Sequence, residues 1–317
     1  MGTIANCTQD AIKNAAEALI DGQLVAFPTE TVYGLGADAN NSKAVARIYE
    51  VKGRPTDHPL IVHISSSNQI SKWAVDIPDY AITLAREFWP GPMTLILKRS
   101  NLAKNFITGG QDNVGLRVPS HPVALSLLLE FEALGGSGIA APSANRFGAV
   151  SPTSAEAVKD ELFEYLNEKD LILNGGICSV GIESTIIDCT EKTPRILRPG
   201  YVKIEDITSY TNEKVHHFTH DITIKAPGVM RFHYRPKARV ILSDQADRGD
   251  GFLAMADIAT PPGAIRLAAP ITVDAYAQQM YQALRLGDKL NLKKIFIVPP
   301  DSKGLGFAVR DRIEKMH

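Results

Sequence analysis

The sequence has few cysteines, almost no net charge and no long apolar run. Its 317 residues include three cysteines, an odd number without CxxC spacing, which argues against a disulfide framework and a cysteine zinc site. The 34 Lys and Arg residues nearly balance the 35 Asp and Glu residues, so the net charge of −1 creates no general attraction to nucleic acid or anionic lipid. No run approaches the roughly 18 apolar residues of a membrane span, and the first residues lack the regions of a signal peptide. We therefore expect a cytoplasmic protein with no membrane span and no disulfide partner.

Several catalytic motifs are also missing. The chain has no GxxxxGK[ST] phosphate loop, no HExxH zinc motif and no GxSxG nucleophile turn. His216, His217 and His220 lie in a polar stretch between the two domains, so a surface loop is favoured over a metal site and no metal-ligating residue is predicted. Because hydrolase chemistry lacks a nucleophile here, we expect an enzyme that acts by positioning and electrostatics.

What the sequence does contain is typical of an α/β protein. Apolar residues make up 44% and charged residues 22% of the chain, and its length favours two domains. Apolar residues at helical spacing predict helices at about 8–20, 43–51, 78–88, 122–133, 154–166, 275–286 and 305–315. Short β-forming runs predict strands at 24–27, 60–64, 93–97, 114–118, 139–141, 171–173, 184–188, 239–242, 264–267 and 294–298. Since the strand pairs are short and linked by turns, we expect a twisted, mixed sheet.

The regular pattern loosens after Arg198-Pro199-Gly200. A polar stretch at 208–221 and the segment PGVMRFHYRP follow, and both are interpreted as a linker. The predicted organisation is a main domain over residues 1–208, a linker over 209–237 and a small α/β domain over 238–317.

Residues 28–63 hold the highest density of groups that could bind a ligand. Thr29 and Thr31 offer hydroxyls at a strand exit, and Gly34 and Gly36 would let the backbone turn tightly near a ligand. Ala39 stands where a dinucleotide fingerprint needs a third glycine, so that fingerprint is excluded. An ordinary βα turn is the alternative interpretation.

Lys52-Gly53-Arg54-Pro55 places two cations around a flexible glycine after a helical run. Such a pair can clamp phosphate oxygens, with Arg as a fork and Lys as a point charge. The same pattern also fits a solvated helix C-terminus, where the helix dipole favours cations.

Two further clusters place polar side chains at strand ends. Ser143 and Asn145 follow one strand, where α/β sheets often bind ligands, although turn and capping roles are equally ordinary for these residue types. Glu183, Ser184 and Arg198 stand among β-forming apolar residues.

These segments together resemble one known family. PTETVYGLGADA, KGRP, PLIVH, WPGPMTLIL, GLRVP, APSAN, GIESTIID and RPG occur in the order and spacing of the Sua5/YrdC family. The linker PGVMRFHYRP and the tail GLGFAVRDRIEK are similar to the longer Sua5 branch. The resemblance implies a YrdC-like twisted open mixed sheet with flanking helices, plus a small Rossmann-like C-terminal α/β domain.

The resemblance also implies an activity. Members of the family make L-threonylcarbamoyl-AMP from L-threonine, bicarbonate and ATP with Mg²⁺, and release pyrophosphate. The product serves the tRNA threonylcarbamoyl-transfer machinery as the first step of t⁶A modification at tRNA position 37.

Matching the family motifs residue by residue implies a set of site residues. Lys52 and Arg54 would be catalytic. The positions expected to contact ATP are Lys52, Arg54, His58, Asn113, Asn145, Ser151, Arg198 and, as a lid, Tyr234. The positions expected around threonine are Thr31, His63, Arg117, Ser143 and Ser184.

Two other functions stay open from the sequence. An RNA-binding module of translation or ribosome assembly is one, but the near-neutral charge and the lack of aromatics interleaved with Lys and Arg count against it. A carbamoyl-adenylating enzyme of hydrogenase maturation is the other, and it would need acylphosphatase and zinc-finger regions that this chain lacks.

Overall fold

Two α/β units follow each other along the chain in the computed structural model, which describes residues 3–216, 224–228 and 234–316. Within those ranges, no helix has both the length and the apolar character needed to cross a membrane. The histidines His217 and His220, considered above as metal ligands, lie outside the described residues.

The first unit alternates short strands with helices. Its strands are β1 (Thr3–Asn6), β2 (Val25–Phe27), β3 (Gly34–Asp38), β4 (Ile61–His63), β5 (Met93–Lys98), β6 (Asn113–Arg117), β7 (Ile139–Ala140), β8 (Leu171–Asn174), β9 (Thr185–Asp188) and β10 (Arg195–Arg198). Its helices are α1 (Gln9–Ile20), α2 (Ser42–Lys52), α3 (Ile70–Trp73), α4 (Asp79–Phe88), α5 (Asn105–Thr108), α6 (Pro122–Ala133), α7 (Ala155–Leu162) and α8 (Ile204–Thr211). Single 3₁₀ turns occupy Ser67–Gln69 and Phe163–Tyr165.

These strands form one mixed sheet in the order β1-β8-β2-β3-β7-β4-β6-β5-β9-β10. The pairs β1/β8, β8/β2, β4/β6 and β5/β9 are parallel and the other neighbouring pairs are antiparallel. The predicted mixed, YrdC-like sheet with flanking helices is therefore confirmed.

Local sequence explains where the helices begin. The Thr8 hydroxyl accepts a hydrogen bond from the Ala11 backbone amide at 3.2 Å and caps α1, and the Asn41 side chain caps α2 in the same way. Helix α1 then buries Ala15, Ala16 and Leu19 against the sheet, as its apolar spacing predicts. Helix α2 ends at Gly53, whose positive φ of 60° suits a glycine cap.

The predicted turn at the GxG motif is wrong. Gly34–Asp38 is strand β3, paired with β2 on one side and β7 on the other. A Cβ atom on Gly36 would lie 2.7 Å from Ile139 Cγ2 and 2.8 Å from Phe27 Cε1. This glycine is therefore required by close packing inside the sheet and not by a turn. Strands β1, β3 and β10 and helices α3, α5 and α8 were not predicted, because each is short and weakly patterned.

The second unit is a small parallel sheet with two helices. It consists of β11 (Arg239–Leu242), β12 (Gly251–Leu253), β13 (Ile265–Ala268), α9 (Val273–Lys289), β14 (Lys294–Ile297) and α10 (Leu305–Glu314). The strand order is β11-β14-β12-β13, with every pair parallel. A parallel sheet flanked by helices agrees with the predicted Rossmann-like form. Strand β12 was not predicted, because it has only three residues and begins with a glycine.

Helix α9 of the second unit packs against the first unit. Gly181 approaches its backbone so closely that an added Cβ would lie 2.4 Å from Gln278 Cα. Two ion pairs join the units nearby, Arg285 with Glu161 at 3.2 Å and Lys289 with Asp160 at 2.7 Å. This contact holds α9 and α10 beside the strand ends that form the candidate site.

Candidate active site

A concave cavity lies on the main sheet, between its strand ends and the residues Pro227, Gly228 and Tyr234. Strands β4 and β6 run parallel with His63 opposite Arg117, so the carboxyl ends of both strands point the same way. The predicted site residues that line the cavity are Thr31, Arg54, His63, Arg117, Ser143, Ser184, Arg198 and Tyr234. Ligands usually bind at such strand ends in α/β sheets.

Three arginines bring positive charge to this cavity. The Arg54 guanidinium donates a hydrogen bond to the Pro59 carbonyl at 3.0 Å, and burial lowers its pKa to about 10. Arg198 donates to the Ser184 carbonyl at 3.1 Å, the Ser184 hydroxyl at 3.1 Å and the Pro227 carbonyl at 2.8 Å. Across the described ranges, no carboxylate forms an ion pair with Arg54 or Arg198. Both cations therefore keep charge that an anionic ligand could neutralise.

The third arginine, Arg117, is paired inside the protein. Its guanidinium lies 2.7 Å from the Glu30 carboxylate, and both side chains are buried. The second Glu30 oxygen accepts a hydrogen bond from the Ser120 backbone amide at 3.1 Å. Sequence analysis did not single out Glu30, although a lone carboxylate between threonines after a buried strand is an available signal. The pair fixes the direction of the Arg117 donors.

His63 is neutral in this environment. It is 3% exposed, its ring meets Phe27 edge-on at 5.9 Å, and burial, with Arg117 nearby, lowers its pKa to about 3. Its Nδ1 atom is buried and has no hydrogen-bond partner among the residues that the structure describes. A neutral imidazole with an unused nitrogen is suited to a hydrogen bond with a bound ligand.

Lys52 lies behind the cavity and not in its lining. Its amine donates to the Ser143 carbonyl at 2.6 Å and to the Asn145 carbonyl at 2.5 Å. Burial, together with the charges of Arg54 and Arg146, holds the pKa of Lys52 well below its ordinary value. Lys52 therefore fixes the 143–145 loop, whose Ser143 forms part of the cavity wall.

Asn145 and Ser151 follow the same loop. The Asn145 amide nitrogen donates to the Arg146 and Ala149 carbonyls, both at 2.8 Å, and its buried Oδ1 has no partner within the described part of the chain. The Ser151 hydroxyl donates to the Glu183 carboxylate at 2.6 Å. Both side chains are thus held by the protein next to the cavity.

Besides Lys52, Asn145 and Ser151, two more predicted residues, His58 and Asn113, are not part of the cavity lining. The His58 ring meets Phe147 edge-on at 5.3 Å, and Arg54 lies over the same Phe147 ring at 5.8 Å. Asn113 begins strand β6 opposite Lys98, at the other end of the strand from Arg117. His58 therefore belongs to the surroundings of Arg54, whereas Asn113 lies a strand length away from the cluster.

The remaining predicted residues line the cavity through hydroxyl groups. Thr31 Oγ1 is 2.8 Å from the Thr29 hydroxyl, and Ser184 Oγ is 2.8 Å from the Thr94 hydroxyl. Tyr234 is buried, has a positive φ of 68° and stacks on Tyr281 with ring centroids 5.8 Å apart. Residues 229–233, just before Tyr234, lie outside the described residues.

Two family models together match most of the chain. One, described as "Telomere recombination" and covering Sua5, YciO and YrdC, matches residues 17–200. The chain belongs to the Sua5/YrdC family. A second model, described as the C-terminal domain of threonylcarbamoyl-AMP synthase, matches residues 202–316 and corresponds to the longer Sua5 branch.

Two relatives that match this Sua5/YrdC chain over almost its full length are both named threonylcarbamoyl-AMP synthase. The threonylcarbamoyl-AMP synthase of Pyrococcus abyssi is 40% identical over 323 residues, covering 96% of this chain and 93% of that protein. The threonylcarbamoyl-AMP synthase of Bacillus subtilis is 36% identical, covering 96% of this chain and 92% of that protein.

Solved structures agree with this membership. Sua5 from P. abyssi complexed with L-threonine is similar with a TM-score of 0.86 and 38% identity, covering 99% of this chain and 96% of that one. E. coli YciO shares the fold of the first unit, with a TM-score of 0.56 and 24% identity over 65% of this chain.

The site also contains residues that sequence analysis missed in the second unit of this Sua5-type chain. Tyr281 and Arg312 both donate to the Glu183 carboxylate, at 3.0 and 2.8 Å. Arg312 occupies a position on the apolar face of α10 between Val309 and Ile313, and a charge at such a position is the signal that could have revealed it.

Proposed function

We propose that this protein is a threonylcarbamoyl-AMP synthase. It would join L-threonine and bicarbonate into a carbamate, transfer the AMP part of ATP to that carbamate and release pyrophosphate. The observation that carries the proposal is the convergence of Arg54, Arg117 and Arg198 on one cavity that also holds His63. The names of the full-length relatives and the threonine complex of P. abyssi Sua5 support the choice of substrate.

The first chemical step needs a place for threonine. The threonine amine attacks CO₂ derived from bicarbonate, a C–N bond forms and a proton leaves the nitrogen. In the proposal, Arg117 faces the amino-acid carboxylate, while neutral His63 and the hydroxyls of Thr31, Ser143 and Ser184 hold the polar groups of the side chain and amine. Because Glu30 fixes the Arg117 guanidinium, this half of the site is ordered before substrate binds.

The second step joins two anions. A carbamate oxygen attacks the α-phosphorus, an O–P bond forms, and the bond to the pyrophosphate oxygen breaks. Arg54 and Arg198 would offset the repulsion and neutralise the leaving group. Lys52, which lies behind the cavity, would support them by holding the loop at Ser143 and Asn145 in place. Alignment of the reacting atoms can contribute up to about 7 to 11 kcal/mol in ideal intramolecular cases. The other proposed ATP contacts are His58, Asn145, Ser151 and Tyr234. Asn113 lies farther away and would contact ATP only at the far end of the nucleotide.

Mg²⁺ enters the proposal with ATP. Among residues 3–216, 224–228 and 234–316, no group of three or more His, Cys, Asp or Glu side chains could hold a metal ion. The polar groups that line the cavity are mainly cations and hydroxyls, which suit phosphate oxygens. The ion would therefore be carried by the phosphates, and the product would pass to the cytoplasmic machinery that makes t⁶A at tRNA position 37.

Mass spectrometry of the nucleotide product tests the proposal. The purified protein with ATP, L-threonine, bicarbonate and Mg²⁺ should form threonylcarbamoyl-AMP and pyrophosphate, and serine should be the weaker substrate. Lys52→Ala and Arg54→Ala should each reduce pyrophosphate release by about 10²-fold or more. Arg86→Ala is the control, because Arg86 is exposed and pairs with its neighbour Glu87.

Two outcomes would reject this assignment. Unchanged pyrophosphate release in both cation variants would place the phosphates elsewhere. Salt-dependent binding of tRNA without any consumption of ATP would favour the RNA-binding module instead.

A further inference from the structure

The Glu183 carboxylate joins the two units of the molecule beside the cavity. From the first unit, the Ser151 hydroxyl donates to its Oε1 at 2.6 Å. From the second unit, Arg312 Nε donates to its Oε2 at 2.8 Å and the Tyr281 hydroxyl donates to the same oxygen at 3.0 Å. Glu183 lines the cavity, so the second unit directly determines how one wall of the site is built.

The Glu183 carboxylate is only 6% exposed, and Ser151, Tyr281 and Arg312 all donate hydrogen bonds to it. Burial alone would raise the pKa of Glu183, but the charges of Arg312 and Arg198 and the hydrogen bonds from Ser151 and Arg312 hold it below its ordinary value. Arg312 is itself fully buried, and its remaining donors go to the Pro199 carbonyl at 2.8 Å and to Asp311. Because the Arg312 guanidinium is hydrogen-bonded to three different residues, it is held in place and keeps the Glu183 carboxylate in one position.

The Glu183 carboxylate determines whether the Ser151 hydroxyl can donate or accept a hydrogen bond with a ligand. A serine hydroxyl has one proton, and here that proton is donated to Glu183. The Ser151 oxygen can therefore act toward a ligand only as an acceptor, for example of a ribose hydroxyl or an exocyclic amine. If Glu183 were neutral, it could donate to Ser151 and that preference would be lost.

Helix α10 and Lys315 directly after it also contact two further residues of the cavity lining, Gly228 and Tyr234. The Lys315 amine donates to the Gly228 carbonyl at 3.0 Å, and the Arg312 guanidinium lies over the Tyr234 ring at 5.5 Å. Gly228 and Tyr234 line the cavity beside Arg198. By contrast, the Arg117–Glu30 pair and His63 on the threonine side are held within the first unit.

We propose that Arg312 is a positioning residue for the nucleotide: by holding the Glu183 carboxylate in place, it orients Ser151 as an acceptor and makes the second unit part of the ATP half of the site. The inference rests on the proposed function, since it takes the Ser151 side of the cavity as the nucleotide side.

Binding of ATP and of L-threonine, measured separately by calorimetry on the full chain, tests this inference. Arg312→Lys keeps the positive charge but loses the guanidinium that donates to Glu183, Pro199 and Asp311. Glu183→Gln keeps the shape of the side chain but loses its negative charge. Each should weaken ATP binding about tenfold or more and change threonine binding less than about twofold. Arg266→Lys is the matched control, because Arg266 donates mainly to backbone carbonyls inside the second unit and has no contact with Glu183. It should lower the Tm but leave both affinities unchanged.

The possible results separate this inference from the proposed function. If Arg312→Lys fails to fold, the isosteric Glu183→Gln variant decides alone. If the parent binds ATP and both variants match it, or if both ligands are lost in equal proportion, Arg312 has only a structural role and the inference is wrong. If the parent binds no ATP at all, the proposed function is wrong and this inference falls with it.

Discussion

The charge of the cavity is set residue by residue, because its cations have different partners. Arg117 is neutralised by Glu30 at 2.7 Å, whereas Arg54 and Arg198 donate to carbonyls and a hydroxyl. Lys52 is held by two carbonyls behind the wall. An incoming anion would therefore gain most from Arg54 and Arg198, and Arg117 would serve mainly to give direction.

The buried Glu30–Arg117 pair should dominate local stability. Glu30→Ala removes the partner of Arg117 and the acceptor of the Ser120 amide, so the free energy of unfolding should fall by about 3–5 kcal/mol. Urea denaturation measures this change. Asp76→Asn, which breaks an exposed pair with Lys98, is the control and should cost less than about 1 kcal/mol. A similar fall in the free energy of unfolding in both variants would show that the buried pair stabilises the fold no more than an exposed pair.

His63 should make stability fall in acid. Its pKa is about 3 in the folded protein and about 6.5 in an unfolded chain. Because the folded state binds the proton more weakly, the stabilisation is complete above pH 6.5 and is lost as the pH falls from there toward 3. Between pH 7 and pH 5, His63 alone should lower the free energy of unfolding by about 2 kcal/mol. Denaturation of the parent and of His63→Gln at both pH values measures the difference, and equal pH dependence would contradict the prediction.

At the scale of elements, the site depends on strand β3, which the local sequence does not predict. Strand β3 fills the centre of the main sheet between β2 and β7, and its Gly34 forms a bridge to Ser143 in the cavity wall. The glycines that suggested a ligand-binding turn, Gly34 and Gly36, are strand residues, and at Gly36 the neighbouring side chains leave no space for a Cβ. Tertiary packing thus reverses the local preference of glycine for turns.

Gly36→Ala tests this view of β3. The added methyl would meet Ile139 and Phe27 at 2.7 and 2.8 Å, so the free energy of unfolding should fall by about 1–3 kcal/mol. Gly115→Ala in β6 is the matched control, since its nearest neighbour is the flexible tip of Ile96 at 3.1 Å and the loss should be smaller. Urea denaturation compares the two variants. A smaller loss at Gly36 than at Gly115 would show that β3 has room to adjust.

At the scale of the whole molecule, the two units share a contact that is both close and polar. Gly181 touches the backbone of α9, ion pairs join Arg285 to Glu161 and Lys289 to Asp160, and Arg312 reaches Glu183. Disturbing this contact should therefore affect both units together.

Gly181→Ala should separate the units. Its Cβ would lie 2.4 Å from Gln278 Cα, so α9 must move away, and we expect calorimetry to resolve two unfolding transitions where the parent shows one. Gly176→Ala is a close control, because Gly176 has a similar φ of 84° but an added Cβ would meet no atom within 4 Å in the described structure. Two transitions in both variants would point to backbone strain and not to the contact between units.

Much of this protein could be read from local sequence. Apolar spacing and caps determine most of the helices, since α1 and α2 follow directly from Thr8, Asn41 and the apolar residues after them. The motifs determine which residues carry charge and hydroxyls near strand ends, and Arg54, His63, Arg117, Ser143, Ser184 and Arg198 do converge on one cavity.

Only the tertiary structure decided how these groups are paired. Glu30 meets Arg117 across 87 positions of sequence, and Glu183 meets Arg312 across 129. Such pairs arise from packing between distant segments, which no local propensity encodes. For the same reason local sequence at Gly36 suggests a turn where the structure has a strand. Local sequence also does not show that Tyr281 and Arg312 of the second unit hold Glu183 in the cavity wall.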